Sequence, residues 1–226
     1  MSAKLSIVGT PIGNMEDVTL RGLRTLKEAD IILCEDTRVT KKLLNRYDIK
    51  TKTLSYHQRS SVSRVDEILA LFKEGKHVAL VTDAGMPTIS DHGGGLINYA
   101  RSLTDLDVEV EVVPGPTALS TAVAYSGVIM KSFLFTGFLP HKKGRQTALR
   151  EISESERPVL LYESSHRIEK LMHEFEKVIP KRKITITKEL TKMHEEIITG
   201  LPSEILDIFN SHPEKKKGEF VVIASP

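Results

Sequence analysis

The chain has 226 residues, 40% apolar and 27% charged, the profile of a globular protein with a proper core in one large domain or two small ones. A net charge of +2 supplies no global field for a polyanion, and a single cysteine, Cys34, excludes an intrachain disulfide. No stretch approaches the ~20 apolar residues of a membrane span and the N-terminus lacks the apolar core of a secretion signal, so a cytoplasmic protein is expected.

In chain order, Leu5–Gly9 reads as a strand running into the turn Gly9-Thr10-Pro11-Ile12-Gly13-Asn14. That turn is neither G-x-G-x-x-G nor a P-loop, and its prolines lack the amide donors of a phosphate cradle. Val18–Ala29 carries Leu20, Leu23 and Leu26 at helical spacing. Asp30–Cys34 is a second strand, with Cys34 expected as a small buried hydrophobe. The corner Glu35-Asp36-Thr37-Arg38 either places a phosphate or a base, or simply caps the next helix through Asp36 or Thr37. That helix, Thr37–Tyr47, turns Leu43 and Leu44 inward; a strand at Thr51–Tyr56 and a helix at Val62–Lys73 follow.

The apolar run from His77 to Thr82 contains a fourth strand, Val78–Val81, and closes on Asp83 before the turn Ala84-Gly85-Met86-Pro87-Thr88. Ligands of open α/β sheets bind outside the carboxyl ends of the strands, so Asp83 is either a ligand carboxylate or a plain helix cap. A helix at Gly94–Leu103 and a strand at Val108–Val113 lead to Pro114-Gly115-Pro116-Thr117-Ala118. Strands alternating with helices predict a mainly parallel sheet. Gly- and Pro-rich turns after the first, fourth and fifth strands predict a pocket made mostly of backbone.

The second half changes texture. Strands are predicted at Phe133–Phe138, Val159–Tyr162, Ile184–Thr187, Glu196–Thr199 and Glu219–Ile223. Helices are predicted at Arg145–Ser153, His166–Val178 and Pro202–Phe209, and a further helix, Thr117–Tyr125, fits either half. With no helix between the third and fourth of these strands a hairpin is expected, and the pattern is α+β. The boundary falls near Pro114-Gly115-Pro116, giving an N-terminal α/β domain, 1–116, and a C-terminal α+β domain, 117–226. Basic clusters at His141–Arg145, Lys181–Lys183 and Lys215–Lys217 are solvated surface or track a nucleic-acid backbone. The eight histidines show no metal-ligand spacing, and no metal is expected.

Nine segments carry a likeness. They are Val8–Asn14, Glu35–Arg38, Asp83–Gly85, Pro114–Pro116, Gly137–Pro140, Tyr162–Ser164, His166-Arg167, Glu189–Lys192 and Lys217–Glu219. In this order they resemble the ribosomal RNA small subunit methyltransferase I family of the tetrapyrrole methylase superfamily, from Leu5 to Ile223. The resemblance implies a two-domain α/β methyltransferase, usually a homodimer, with S-adenosylmethionine (SAM) as methyl donor in the interdomain cleft. Its substrate would be the ribose 2′-hydroxyl of a cytidine in the decoding region of 16S rRNA in the small ribosomal subunit. The N-terminal domain would carry the substrate side and part of the SAM pocket, the C-terminal domain the rest of that pocket.

The contacts to SAM implied are Pro11, Ile12 and Gly13; Asp83, Ala84, Gly85, Met86, Thr88 and Ile89; and Pro114, Gly115, Thr117 and Ala118. The catalytic group is expected among Glu35, Asp36, Arg38, Lys188 and Glu189, with Arg38 and Arg167 holding phosphates. Met86 stands where the family has Thr, His92 where it has Pro, Ser165 where it has Pro, and Lys131-Ser132 where it has Asp-Arg; the chain also stops at Pro226, where many relatives continue. With 5% aromatic residues and no Trp, phosphate contacts should outweigh base stacking. The alternatives are a tetrapyrrole methylase of the same superfamily and a non-catalytic ribosome-binding module.

Overall fold

A computed structural model describes residues 2–57, 62–90 and 93–226; His92, one of the departures noted from sequence, lies outside the described residues. The chain divides into two compact units, Met1–Thr117 and Ala118–Pro226.

In the first unit, strands β1 (Ala3–Val8), β2 (Ile31–Cys34), β3 (Lys52–Ser55), β4 (His77–Leu80) and β5 (Val108–Val113) alternate with helices α1 (Leu20–Glu28), α2 (Thr37–Arg46), α3 (Val62–Lys73) and α4 (Gly94–Ser102). The sheet order is β3-β2-β4-β1-β5 and every pairing is parallel. Alternate residues of each strand feed two cores. Val8, Ile32, Cys34 and Ala79 pack with Leu26, Leu43 and Leu44 of α1 and α2, while Leu5, Leu33, Val78 and Leu80 pack with Ile68, Phe72, Leu96 and Ala100 of α3 and α4. This two-sided burial is why β2 and β4, inside the sheet, read as near-continuous apolar runs. Cys34 is fully buried, and burial pushes its thiol up.

The second unit holds α5 (Ala118–Ser126), β6 (Leu134–Phe138), α6 (Arg145–Glu154), β7 (Val159–Ser164), α7 (Ile168–Val178), β8 (Ile184–Lys188), β9 (Glu196–Gly200), α8 (Pro202–Ser211) and β10 (Glu219–Ala224). Its sheet order is β6-β7-β10-β8-β9. Only β6–β7 is parallel; β8 and β9 form the expected hairpin. Leu149, Ile152, Leu171, Phe175, Ile205 and Phe209 of α6, α7 and α8 bury one sheet face. Among the described residues no helix is long and apolar enough to cross a membrane.

Element boundaries differ from expectation by a residue or two for local reasons. The first helix begins at Leu20 because Thr19 caps it, its side chain accepting from the Gly22 amide. The helix expected from His166 begins at Ile168, after a turn closed by Arg167 N–H donating to Ser164 O.

A polar chain crosses the first sheet. Ser6 on β1 is fully buried; its hydroxyl donates to Glu111 Oε1 at 2.6 Å and lies 2.7 Å from His77 Nε2. Parallel register brings these groups together, since Lys4 pairs with His77 and Ser6 with Glu111. Burial, then the nearby Lys4 ammonium, hold the His77 imidazole below its ordinary 6.5. The unfolded chain therefore binds the proton more readily than the folded one. The stability His77 contributes is complete above pH 6.5 and is lost as pH falls through that value toward the folded one. Replacing His77 by Gln keeps an N–H donor and removes the titration. The stability of wild type relative to His77→Gln should decline between about pH 7.5 and 5.5 in thermal melts; a pH-independent difference in Tm would refute this.

Candidate functional site

The sheet order sets β4, β1 and β5 side by side. Because the strands are parallel, the three Gly- and Pro-rich turns leave the same edge as neighbours. Thr10 and Gly85 form an isolated antiparallel bridge, the Thr10 amide donating to Gly85 O at 2.9 Å and the Gly85 amide to Thr10 O at 3.1 Å. Thr10 Oγ1 donates to Thr82 O at 3.1 Å, and the Gly9 amide to Val113 O at 3.1 Å. Backbone hydrogen bonds thus lock the turn after β1 to the strand ends on either side.

Two glycines make that closeness possible. A Cβ on Gly9 would lie 2.7 Å from Gly115 Cα and 2.6 Å from Met86 Sδ; one on Gly115 would lie 2.9 Å from Gly9 Cα. Each position is sterically closed to any side chain. Gly85 adopts φ +85° beside Ile12 and the Pro116 carbonyl. Thr88 and Ser90 share that left-handed region at φ 77° and 57°, at a cost of about 1 kcal/mol each. Met86 lays its thioether against Gly9, filling the space with a polarisable sulfur where a Thr hydroxyl was expected from the resemblance. Pro11 and Ile12 are buried, Gly13, Ala84, Thr88 and Pro114 are exposed, and Ile89 and Thr117 are half-buried; Ala118 begins α5 of the second unit.

Asp83 is not a helix cap. Its Oδ1 accepts the Asp36 amide at 3.0 Å, tying the end of β4 to the end of the adjacent β2. Asp36 is the N-cap of α2: its Oδ1 accepts the Arg38 amide at 2.8 Å, and its carboxylate is chelated by the Arg38 side chain at 2.6–3.1 Å. Those side-chain hydrogen bonds hold Asp36 down at about 2. Such a carboxylate takes up a proton poorly at neutral pH, since a good base has its pKa near the working pH. Arg38 is 87% exposed, and Glu35 is half-buried with its carbonyl accepting from Ser55 Oγ. These three candidates and Asp83 form one contiguous corner.

Lys188 and Glu189 belong to the second unit. Lys188 closes β8 with its side chain 8% exposed and Nζ 3.8 Å from Glu196. Glu189, at φ 49°, accepts Lys192 Nζ and the Glu219 amide on Oε1, both at 2.9 Å. Lys192 also reaches Glu219 Oε2 at 2.8 Å. Burial alone would raise the Glu189 carboxyl, but these hydrogen bonds outweigh it and the net shift is downward. Ser165, where the family has Pro, binds the Gly218 backbone twice, accepting from its amide and donating to its carbonyl at 2.7 Å. Its hydroxyl therefore straps the corner before α7 to the turn before β10.

Two buried ion pairs escaped the sequence reading. Glu163 is 2% exposed, and burial pushes its carboxyl up. Its Oε1 accepts the Ser164 amide at 2.9 Å and lies 3.3 Å from Arg167, while Oε2 has no hydrogen-bond partner among the described residues. Arg167 also donates to Leu139 O at 2.5 Å and meets His141 at 3.3 Å, so the arginine expected to hold a phosphate has internal partners instead. Arg145, 4% exposed, clasps Glu174 through three contacts of 2.5–3.0 Å and donates to Pro140 O. A single Glu inside the apolar strand run before Ser164 was the available signal for Glu163.

Residues 4–206 match the family described as tetrapyrrole (corrin/porphyrin) methylases. The ribosomal RNA small subunit methyltransferase I of Thermotoga maritima is 47% identical over 224 residues, spanning 98% of both chains. That of Bacillus subtilis is 39% identical over 220 residues, 97% of this chain and 74% of its own. Among solved structures, a cobalt precorrin-4 methyltransferase of cobalamin biosynthesis superposes with TM-score 0.72 at 21% identity, over 98% of this chain and 94% of its own. Uroporphyrin-III-C-methyltransferase of Thermus thermophilus does so with TM-score 0.64 at 19% identity, over 100% and 93%. At such identities these structures establish the fold.

The glycine contact yields opposite expectations for two similar substitutions. Gly115→Ala should cost about 1–3 kcal/mol by overpacking against Gly9. Gly95→Ala, in α4 with open space around it, should stabilise by roughly 0.5–1 kcal/mol. Urea denaturation reads both, and equal effects would show that the Gly9–Gly115 approach is not tight.

Proposed function

We infer the activity from one premise: the chain belongs to the tetrapyrrole methylase family, and within it to the ribosomal RNA small subunit methyltransferase I group. We propose that it transfers the methyl group of SAM to the ribose 2′-hydroxyl of a cytidine in the decoding region of 16S rRNA, on the small ribosomal subunit. The observation that carries this reading is identity of 47% over 98% of the chain with a relative of that name. We propose further that it works in the cytoplasm as a homodimer.

The cross-linked turns fit the methyl donor. They offer backbone amides and carbonyls, the apolar surface of Pro11 and Ile12, the Met86 thioether, the Thr88 hydroxyl and the Asp83 carboxylate. Such a lining suits a nucleoside joined to an amino acid, with the cationic end toward Asp83. We assign the donor to Pro11, Ile12, Gly13, Asp83–Ile89, Pro114, Gly115, Thr117 and Ala118. When bound it supplies an electrophilic methyl carbon on a sulfonium. The chain's own task is alignment of donor and hydroxyl, which is what a turn cluster locked by backbone hydrogen bonds does well. Asp36 and Glu189 are held ionised by Arg38 and Lys192, which suits them to orient charge. At the ribose hydroxyl we place Glu35, at the corner where β2 ends.

The deciding experiment supplies labelled SAM to small subunits lacking the modification and maps the label. Label on a cytidine 2′-oxygen is expected. Label on a porphyrinogen and none on RNA would instead make the chain a tetrapyrrole methylase, and absence of S-adenosylhomocysteine binding in calorimetry would make it a non-catalytic module. In the same titration Asp83→Ala should weaken binding roughly 10- to 100-fold, the worth of a hydrogen bond to a charged group.

A further inference from the structure

Helix α7 and the turn before it present His166, Lys170, His173 and Lys177, all exposed. Spacings of four, three and four place them on one helical face. They line a groove of about 560 Å³ whose other wall is α6, from Gln146 to Leu149. Two acidic side chains share it, and each is neutralised from another element. Glu174 is clasped by the buried Arg145, and Glu169 takes Lys216 Nζ at 3.0 Å. His173 has Glu176 at 3.8 Å, whereas Lys170 and Lys177 have no acidic partner among the described residues. The groove therefore has its carboxylates cancelled and two ammonium groups uncompensated, about 10 Å apart along the helix. The positive end of α7 lies at the His166 end, where the N-cap position, Arg167, makes no side-chain capping bond.

We propose that this groove is an RNA-backbone docking surface, holding phosphates of the rRNA strand without reading its bases. A row of cations and imidazoles matches a repeating anion. No Phe, Tyr or Trp lines the groove, so apart from its two imidazoles it offers little stacking platform for bases and lacks the large aromatic anchor on which protein interfaces depend. Phosphate contacts position a nucleic acid and carry no sequence information, so this surface sets the register of the substrate while selection of the target nucleotide happens elsewhere. The proposal rests on the methyltransferase reading for the identity of the RNA, not for the chemistry of the groove.

The test compares wild type with Lys170→Gln/Lys177→Gln, and with Lys170→Arg/Lys177→Arg as a charge-keeping control. Binding to a 16S rRNA fragment and to a single-stranded RNA homopolymer is measured from 50 to 200 mM salt, with S-adenosylhomocysteine affinity and melting temperature as checks. The Gln variant should bind both RNAs roughly tenfold more weakly and lose about 1.5 from the log–log salt slope, at 0.7–0.9 for each phosphate contact, while the Arg variant keeps both values. Unchanged affinity and slope in the Gln variant would overturn the proposal, as would wild type binding neither RNA. So would an equal loss of binding to polyglutamate, which would make the groove a docking face for acidic protein. Lysine-dependent binding to the homopolymer without methyl transfer to small subunits would sink the proposed activity and leave the groove standing.

Discussion

The backbone at Gly9 touches the backbone at Gly115, and the site in the first unit depends on that approach. A Cβ on either residue would come within 3 Å of the other's main chain, so the turns after β1 and β5 can meet only as glycines. Once they meet, the Gly9 amide reaches Val113 O, Thr10 can bridge to Gly85, and Met86 can lie against Gly9. The contact has local conformational consequences. The turn after β4 reaches Thr10 through a left-handed Gly85 and then continues with two left-handed non-glycine residues, Thr88 and Ser90. Strain of that kind persists where surrounding structure over-determines the backbone, and three turns tied to one another supply that constraint.

Charge in the molecule is organised by the same rule, that buried or half-buried carboxylates need partners. Asp83 takes an amide, Asp36 an arginine, Glu189 a lysine and an amide, and Glu174 an arginine. Glu163 and Asp17 are exceptions, each with a buried oxygen that has no partner among the described residues, and burial shifts the Glu163 carboxyl toward the neutral form. Motifs that look reactive in sequence thus divide by environment. Carboxylates chelated by cations are fixed anions that orient backbone and side chains, and proton uptake suits groups that are not.

Much of the architecture was legible because two-sided burial and Gly/Pro punctuation are local signals. Val108–Val113 announced itself by its β-branched residues, the hairpin of β8 and β9 by the lack of any helix between them, and the three turns by Gly9, Gly85 and Gly115. Strand order was not legible, because it is set by pairings between residues far apart in the chain, such as Leu5 with Val78. Yet it is the order β4-β1-β5 that makes three separate turns into one site. The partners of charged residues were hidden for the same reason. Arg167 looks like an exposed phosphate ligand beside His166, but the turn before α7 folds it back onto Leu139 and Glu163. Ser165 looks like a lost proline, and only the strand return at Gly218, 53 residues later, shows what its hydroxyl holds.

The first unit's site is built from backbone and the groove of the second from long cationic side chains, and the difference follows from what each would hold. A small donor with fixed shape is best held by groups that cost no ordering entropy on binding, which locked main chain provides. An RNA strand is extended, repetitive and strongly charged, so flexible ammonium groups can follow it at little cost in specificity. A chain with 5% aromatic residues and a net charge of only +2 offers RNA little stacking surface and no strong overall field. On the proposed reading its grip comes from local patches in which acidic neighbours have been neutralised. The pairings of Glu174 with Arg145 and of Glu169 with Lys216 are therefore more than stabilising contacts: by removing two negative charges from the face of α7 they make a nearly neutral protein locally cationic.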